Sequence, residues 1–399
     1  MKRLALALWL VACSSDATVH DTRAPSPPLP RVDAVAAGFS TDSLGAIDAF
    51  LREQVREGVF PGGVLAVGRR AGIAHLVAVG QYGIDDPRPV ESTTIYDLAS
   101  LTKVVGLTTA TYLLLANGQL SRDQSVATII PEYTGDGREQ VRVHHLMTHT
   151  SGLPAWVPLY LETPDEAGAV GRVYAEPLTA IPGVQYVYSD LGAILWTQVV
   201  QQTAGTTLDA FLRERVFTPI GMYDTHFTPD SGLTNRIAPT EDDPWRGRVL
   251  RGEVHDENAF HLGGVSGHAG LFSTAPDLAR FAMWMLDQFD GTAPDDGRPR
   301  IPRDSIRRYT SRQDGPEGST RALGWDKRSL DGPSSGGSLL SSASFGHTGF
   351  TGTSIWIDPD LDLFVILLTN RVHPTRENRA LLPLRGVLAD MVVRAVELP

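Results

Sequence analysis

The segment that most constrains this chain is DLASLTKVVGLTTATYLLLANG, residues 97–118. Its apolar residues predict a buried helix, and Asn117-Gly118 would end that helix as a left-handed C-cap. Ser100 lies at the helix start and Lys103 follows three residues later, so both side chains share one face. A lysine in an apolar setting can take the proton of a serine hydroxyl, because burial disfavours the charged form of lysine. The same spacing is also common by chance, as an N-cap serine followed by a surface lysine.

Composition excludes several classes of protein. The chain has 399 residues, 42% of them hydrophobic, so it can bury a large core and is expected to form two closely packed lobes. Its formal net charge is −11 at pH 7 and it has no evident basic patch, which argues against a nucleic acid partner. The single cysteine excludes an internal disulfide and a thiolate metal site. No apolar run reaches the ~20 residues of a transmembrane helix.

The N-terminus has the composition of an export signal. Two basic residues precede the apolar run LALALWLVA, and Cys13 follows that run. The sequence Leu-Val-Ala-Cys at 10–13 resembles a bacterial lipobox, so residues 1–12 are predicted to be a signal peptide and Cys13 to be lipidated. Residues 13–38, which are rich in proline, are expected to tether the folded body to a membrane on its cell-envelope, or periplasmic, side. The alternative is an ordinary first helix with an incidental cysteine, followed by a disordered tail without a role.

Periodicity along the rest of the chain predicts an α+β fold. Helical patterns occur near both chain ends, and strand patterns lie just inside them. An antiparallel β-sheet is therefore expected to be flanked by helices from both ends, with an inserted, mainly helical lobe at about 119–260. The predicted elements are helices over 41–59, 276–287 and 376–398, strands within 62–83 and 344–369, and polar variable loops over 291–337.

Two further motifs change the interpretation of Ser100 and Lys103. Tyr188-Ser189-Asp190 precedes an apolar helix, and His347-Thr348-Gly349 lies on a predicted strand. The ordered set Ser-x-x-Lys, Tyr-Ser-Asp and His-Thr-Gly resembles the serine β-lactamase and penicillin-binding-protein superfamily. The tyrosine form of the second motif is similar to class C enzymes, DD-carboxypeptidases and β-lactamase-like esterases. Three flanking stretches add to the resemblance: VHHLMTHTSGL at 143–153, GGVSGHAGLFST at 263–274 and TNRVH at 369–373.

The resemblance implies a β-lactamase/transpeptidase-like fold over residues 39–399 and a role for each motif. Ser100 would attack a carbonyl carbon and form an acyl-enzyme, Lys103 would assist, and Tyr188 would pass a proton to the leaving group. The backbone N–H groups of Ser100 and Phe350 would form the oxyanion hole. The strand residues His347, Thr348 and Gly349 would line the substrate.

Two positions depart from the superfamily pattern. His347 stands where many β-lactamases have lysine, so a substrate carboxylate would be held less reliably and antibiotic hydrolysis is less favoured. Asp190 stands where asparagine is usual, and a carboxylate there should stabilise Lys103 as a cation and could repel anionic substrates. Arg371 could bind a substrate carboxylate bidentately, or form a surface ion pair.

The histidines could suggest a metal, but neither a metal nor a cofactor is expected. The residues concerned are His145, His149, His255, Asp256, His261 and His268. No His-Glu-x-x-His pattern occurs, and no cysteine adds a ligand. The histidine of THTSGL, His149, is expected to hold structure around the cleft by hydrogen bonding.

The sequence therefore predicts a serine hydrolase acting on cell-wall peptide or amide bonds or on small carboxyl esters. Its partners would be a small-molecule or peptidoglycan-derived substrate and, through Cys13, a membrane, and the protein would be a monomer. A β-lactamase remains an alternative, because all these reactions begin with the same acyl-enzyme. A non-hydrolytic penicillin-binding or sensing lipoprotein is the alternative from another class, and a metallohydrolase is a third.

Overall fold

A seven-stranded antiparallel sheet organises the protein. The computed structural model describes residues 30–293, 295–317, 319–329, 332 and 334–397. We number the strands of this sheet β1 to β7 along the chain: Gly62–Arg69, Gly72–Gly83, Asp86–Pro89, Asp326–Lys327, Phe345–Thr348, Ser354–Asp358 and Leu363–Thr369. Their order across the sheet is β3-β2-β1-β7-β6-β5-β4. The predicted antiparallel sheet is confirmed.

Helices of eight or more residues pack on the sheet or occur along the chain between β3 and β4. Numbered α1 to α7, they are Thr41–Arg56, Thr109–Ala116, Glu166–Ala175, Asp190–Ala204, Ala275–Asp290, Arg303–Thr310 and Leu384–Ala395. Shorter α-helices are Val143–Met147, Leu159–Glu162, Leu208–Leu212, Thr218–Ile220 and Glu257–His261. Short 3₁₀ segments are Ala99–Leu101, Val126–Thr128, Arg138–Gln140 and Ser231–Arg236, and Lys103–Thr108 and Arg213–Phe217 are π-helical. Small sheets are built from Tyr96–Asp97, His226–Phe227 and Leu271–Ser273, and from Asp242–Asp243 and Arg248–Val249.

The central strands bury both of their faces. Val64 lies opposite Leu368, and Leu65 lies opposite Leu367. Because side chains alternate along a strand, the first pair enters the core that includes α5, and the second pair enters the core beneath α1 and α7. Burial on both faces explains why these strands read as continuous apolar runs.

The first and the last described segments of the chain meet on one face of the sheet. Phe39 forms a bridge with Val396, and the Glu397 N–H donates to the Gly38 carbonyl oxygen over 2.9 Å. Helices α1 and α7 pack together beside this contact. The expectation that helices from both chain ends flank one sheet is confirmed.

Three predicted segments have different bounds in the structure. The final helix begins at Leu384, not at 376. Residues 30–32 pair with Ile73 of β2, so the described end of the predicted tether is bound to the body. Residues 291–337 contain α6 and β4 as well as loops. A strand of two residues is too short to show a period, which is why the polar composition concealed it.

Trp325 links that last segment to the core. Its side chain is 0% exposed, and its ring lies 5.0 Å from the ring of Phe345 and 6.3 Å from that of Phe281. Residues predicted as variable loops therefore contribute to the edge of the sheet.

Trp325→Ala should lower the free energy of unfolding by about 3–5 kcal/mol, because it leaves a large cavity in a packed core. Urea denaturation would measure the change. The matched control is Trp245→Ala, whose side chain is 41% exposed and which should cost less than about 1 kcal/mol. Equal losses in the two variants would contradict the packing role of Trp325.

None of the helices in the described part of the chain has the length and apolarity needed to cross a membrane. The predicted signal peptide and Cys13 lie outside the described residues.

Candidate active site

Ser100 lies on a tight turn ahead of a wider helical segment. The predicted helix over 97–118 is a 3₁₀ turn, then π-helix, then α2. Ala99 has a φ of +46°, in the left-handed region, and its N–H donates to Asp97 Oδ1 over 2.8 Å. A non-glycine residue in that region is strained, which is common beside reactive groups. The predicted C-cap is confirmed, with Gly118 at a φ of +69°.

Lys103 contacts groups from three separate segments. Its Nζ lies 3.1 Å from Ser100 Oγ, 2.7 Å from Asp190 Oδ1 and 2.9 Å from the His268 carbonyl oxygen. The side chain is 1% exposed. The Ser-x-x-Lys spacing therefore does place both side chains together, against the carboxylate of the second motif.

The charge state of Lys103 follows from these neighbours. Burial lowers its pKa, but the negative charge of Asp190 and the Tyr188 phenol outweigh burial, and the net pKa is raised. Lys103 is therefore a cation at neutral pH. The expectation that an apolar setting makes it a neutral base is wrong, because Asp190 supplies a counter-charge that the apolar helix sequence does not reveal. The expectation that Asp190 stabilises the cation agrees with this geometry.

His149 positions the Tyr-Ser-Asp motif, as predicted. Its Nδ1 accepts the Ser189 N–H over 3.1 Å, and its ring lies 4.5 Å from the ring of Tyr188. Burial, together with the charges of Arg321 and Lys103, holds the pKa of His149 well below its usual range. The neutral ring can therefore accept this hydrogen bond through Nδ1.

The loop after β5 is bound to the turn that carries Ser100. Thr351 Oγ1 donates to the Asp97 carbonyl oxygen over 2.7 Å, and Thr353 Oγ1 donates to that of Leu98 over 3.0 Å. A Cβ on Gly349 would lie 2.4 Å from the Leu98 oxygen, so only glycine allows this approach. The third motif is thereby fixed next to the first.

Two cavities meet at the residues of these motifs. Both are lined by Ser100, Tyr188 and Phe350, which brings the two expected oxyanion-hole residues to one site. The smaller cavity, of about 280 Å³, is also lined by Trp156, Asp190, Asp256, Glu257, His268 and Arg376. The larger, of about 460 Å³, is also lined by Arg321, His347, Thr348, Arg371, Arg379 and Arg385.

The larger cavity carries an excess of positive charge. Four arginines line it, and Asp326 is the one acidic residue among its lining side chains. Arg385 donates to the Gly349 carbonyl oxygen over 2.7 Å, and burial and the charge of Arg371 lower its pKa to about 10. An anionic group of a substrate would be stabilised here.

His347 and Arg371 lie in the larger cavity with different partners from those considered in the sequence. His347 Nδ1 lies 2.8 Å from the Thr348 carbonyl oxygen, and burial holds the pKa of His347 well below its usual range. Arg371 is buried rather than at the surface. Its guanidinium donates to the carbonyl oxygens of Arg376 and Asn378 and lies 4.7 Å from the Phe350 ring.

Arg321 is a site residue that the sequence did not reveal. Its guanidinium lies 5.2 Å from the Tyr188 ring, and its Nε donates to Tyr186 Oη over 3.1 Å. Lys103 lies 5.0 Å from the same ring, so Tyr188 has two cationic side chains as neighbours. Arg321 belongs to the stretch predicted as loops, and no motif or period marks it.

The candidate metal ligands form separate hydrogen bonds. His255 Nε2 lies 2.9 Å from Glu241, His268 Nε2 lies 2.9 Å from Asp256, and His261 Nε2 lies 2.9 Å from Thr163. Within the described ranges, no group of three or more His, Cys, Asp or Glu side chains is arranged to hold a metal ion.

Comparison with known proteins identifies the family. The β-lactamase family model matches residues 47–389, and the chain belongs to this family of serine hydrolases. It is 32% identical to the N-acetylmuramyl-L-alanine amidase of Bacillus subtilis strain 168, over 86% of this chain and 84% of that protein. It is 31% identical to an Escherichia coli K12 protein named "Putative D-alanyl-D-alanine carboxypeptidase", over 94% and 92% of the two chains.

Solved structures share the fold. A penicillin-binding protein homolog from Caulobacter crescentus superposes with a TM-score of 0.68 at 18% identity, over 89% of this chain and 99% of that one. EstCE1, described as a hydrolase with promiscuous acyltransferase activity, superposes with a TM-score of 0.67 at 18% identity, over 88% and 99%. The resemblance inferred from the three motifs is confirmed at the level of family and fold.

Asp190→Asn should lower the alkaline pH above which activity is lost. A raised pKa means that Lys103 keeps its proton until the pH rises through the folded-state pKa. Removing the carboxylate should lower that limit by about one pH unit or more. The measurement is kcat/KM for a neutral ester against pH, with Asp326→Asn, which is not among the contacts of Lys103, as control. An unchanged alkaline limb would show that Asp190 does not set the charge of Lys103.

Binding of an anionic substrate should not weaken between about pH 6 and pH 8. Since the pKa of His347 is held low, its charge appears only as pH falls well below the ordinary histidine value. The test is the KM ratio of matched anionic and neutral substrates across this range, for the wild type and His347→Asn. The ratio compared is the KM of the anionic substrate divided by that of the neutral one. If this ratio rises as pH increases through about 6.5 in the wild type but not in His347→Asn, then His347 is charged at the lower pH.

Proposed function

We propose that this protein forms an acyl-enzyme on Ser100 and hydrolyses peptide or amide bonds of cell-wall material, or small carboxyl esters. The observation that carries the proposal is the contact of Ser100 Oγ with Lys103 Nζ at 3.1 Å, at the point where the two cavities meet. A serine hydroxyl becomes an effective nucleophile when a neighbouring base accepts its proton.

Tyr188 is the group proposed to accept that proton. In the proposed step Tyr188 reacts as the phenolate: Ser100 Oγ bonds to the carbonyl carbon, its proton moves to Tyr188 Oη to give the neutral phenol, and the carbonyl oxygen becomes an oxyanion. The positive charges of Lys103 and Arg321, which lie 5.0 and 5.2 Å from the centre of the Tyr188 ring, would stabilise negative charge on its oxygen. Backbone N–H groups of Ser100 and Phe350 would stabilise the oxyanion, and loss of one such donor costs roughly 100- to 1000-fold in rate.

Collapse of that intermediate expels the leaving group. The bond from the carbonyl carbon to the leaving nitrogen or oxygen breaks, and the leaving atom takes the proton from Tyr188. Water then repeats the sequence on the acyl-enzyme, with its proton passing to Tyr188 and on to Ser100 Oγ. Lys103 remains a cation throughout, so it acts by charge and by its hydrogen bond to Ser100.

The four arginines of the larger cavity favour binding of a substrate that carries a negative charge. Peptide fragments of the cell wall carry carboxylates, and arginine binds a carboxylate strongly. Arg379 is exposed at this cavity, whereas Arg371 and Arg385 are partly used by backbone oxygens. The names of the B. subtilis and E. coli relatives, an amidase and a carboxypeptidase, favour the same class of substrate.

A β-lactamase, or a protein that acylates without turnover, is the second candidate. The cationic cavity would also suit the carboxylate of a penicillin, so this observation does not separate the two. The retained Ser100, Lys103 and Tyr188 favour turnover, because an inert binder does not require all three. We also propose that Cys13 carries a lipid anchor that holds the protein on the cell-envelope side of a membrane.

Intact-protein mass spectrometry on residues 14–399 would test the acyl-enzyme directly. The wild type and Ser100→Ala are each followed over time with a penicillin and with a short-chain activated ester. We expect an adduct on the wild type alone that forms and then clears, faster with the ester. A persistent adduct would indicate a penicillin-binding or sensing protein, and an adduct on both variants would rule out Ser100.

A further inference from the structure

Four aromatic side chains extend from the smaller cavity across the surface. We call Trp156, Tyr160, Trp245 and Phe260 the aromatic strip. Successive ring centroids are 6.5, 4.6 and 6.1 Å apart. Trp156, Trp245 and Phe260 are 44%, 41% and 38% exposed, and Trp156 also lines the cavity with Ser100. The strip is therefore continuous with the site of acyl transfer.

The outer part of the strip is held rigidly. The Arg246 guanidinium lies 5.4 Å from the Trp245 ring and 4.7 Å from the Phe260 ring. It donates to the carbonyl oxygens of Val254 and His255 over 2.7 and 2.6 Å, and its Nε lies 2.7 Å from Asp243. Rings fixed in advance lose little conformational entropy when a ligand binds.

The carboxylates beside the aromatic strip already have basic side chains as partners. Each carboxylate that lines the smaller cavity contacts a basic side chain: Asp190 with Lys103 at 2.7 Å, Asp256 with His268 at 2.9 Å, and Glu257 with Arg376 at 2.7 Å. The larger cavity, in contrast, has an arginine excess. The smaller cavity therefore suits a ligand that is uncharged but offers hydroxyl or amide groups.

We infer that the aromatic strip and the smaller cavity form a subsite for an uncharged pyranose, the sugar portion of a glycopeptide substrate. A pyranose presents C–H groups on one face, which pack on aromatic rings, and hydroxyls at its rim, which bond to carboxylates. This inference rests on the proposed function, because it assigns the substrate class of the same cleft.

Two other occupants fit the chemistry less well. A long acyl chain would cover the paired carboxylates without bonding to them, at a cost in desolvation. A cationic group would compete with Arg246, which already lies against two of the rings, and would find no unpaired carboxylate among the lining residues.

Fluorescence titration tests the subsite without requiring turnover. The other four tryptophans of the described ranges are buried, so a ligand on the strip would chiefly affect Trp156 and Trp245. Ser100→Ala protein is titrated with N-acetylmuramyl-L-alanyl-D-isoglutamine and with L-alanyl-D-isoglutamine, which lacks the sugar. We expect the sugar-bearing probe to change the emission and to bind about tenfold or more tightly.

Variants of the strip, made in the same Ser100→Ala background, identify the surface responsible. Trp245→Ala and Trp156→Ala should remove most of the preference for the sugar-bearing probe, whereas Trp245→Phe should keep it. Leu339→Ala, an exposed apolar residue outside the strip, should bind both probes as the parent does. Urea denaturation of each variant would show that it is folded.

Equal binding of the two probes, or an unchanged preference in both alanine variants, would overturn the subsite. A fatty-acyl ester that binds in competition with the sugar would also do so. The acyl-enzyme proposal has a separate outcome, because it depends on a Ser100 adduct formed with a sugar-free ester. Loss of the adduct together with retained sugar preference would reject the reaction and keep the binding assignment.

Discussion

Burial of the Lys103 ammonium group is the constraint on which the rest of the site depends. A buried charge is costly unless it is paired and hydrogen-bonded. Its partners are Ser100, Asp190 and the His268 carbonyl oxygen, which are brought together only by the complete fold. The first motif therefore depends on the second for its electrostatics. Asp190, in place of the usual asparagine, holds Lys103 as a cation, which is why the proposed mechanism gives proton transfer to Tyr188.

The charges that line the cleft differ on the two sides of Ser100. One cavity contains paired charges beside exposed aromatic rings, and the other contains four arginines with one carboxylate. A substrate with a neutral polar end and an anionic end would be oriented by this difference before any reaction. Neutral His347 adds shape but no charge, so the arginines provide the attraction for anions. Specificity then derives from loops and helix ends around motifs that are common to many reactions.

Much of this could be predicted from the sequence, and the exceptions share one cause. The apolar runs of β1 and β7, the helices at both ends and the three motifs are local patterns, and the structure contains them. The apolar helix predicts a neutral Lys103 and Asp190 predicts a cation, and the contact between these two residues, which are far apart in the sequence, decides between them. Arg321 and the aromatic strip belong to no repeat or motif, and only tertiary packing brings them to the cleft. Trp325 lies in a polar stretch of the sequence, and its burial against Phe281 and Phe345 likewise arises only from tertiary packing.

The pairing of β1 with β7 at the centre of the sheet also determines when the sheet can form during synthesis. In the register of β1 and β7, residue 63 lies opposite residue 369, so the middle of the sheet joins nearly the whole length of the chain. Contacts so distant in sequence are slow to form, because a long loop must close before they contribute. An emerging chain therefore cannot finish its sheet until residue 369 has been synthesised. Until then, the edge of β1 that pairs with β7 has no partner strand, and an unpaired strand edge is prone to aggregation.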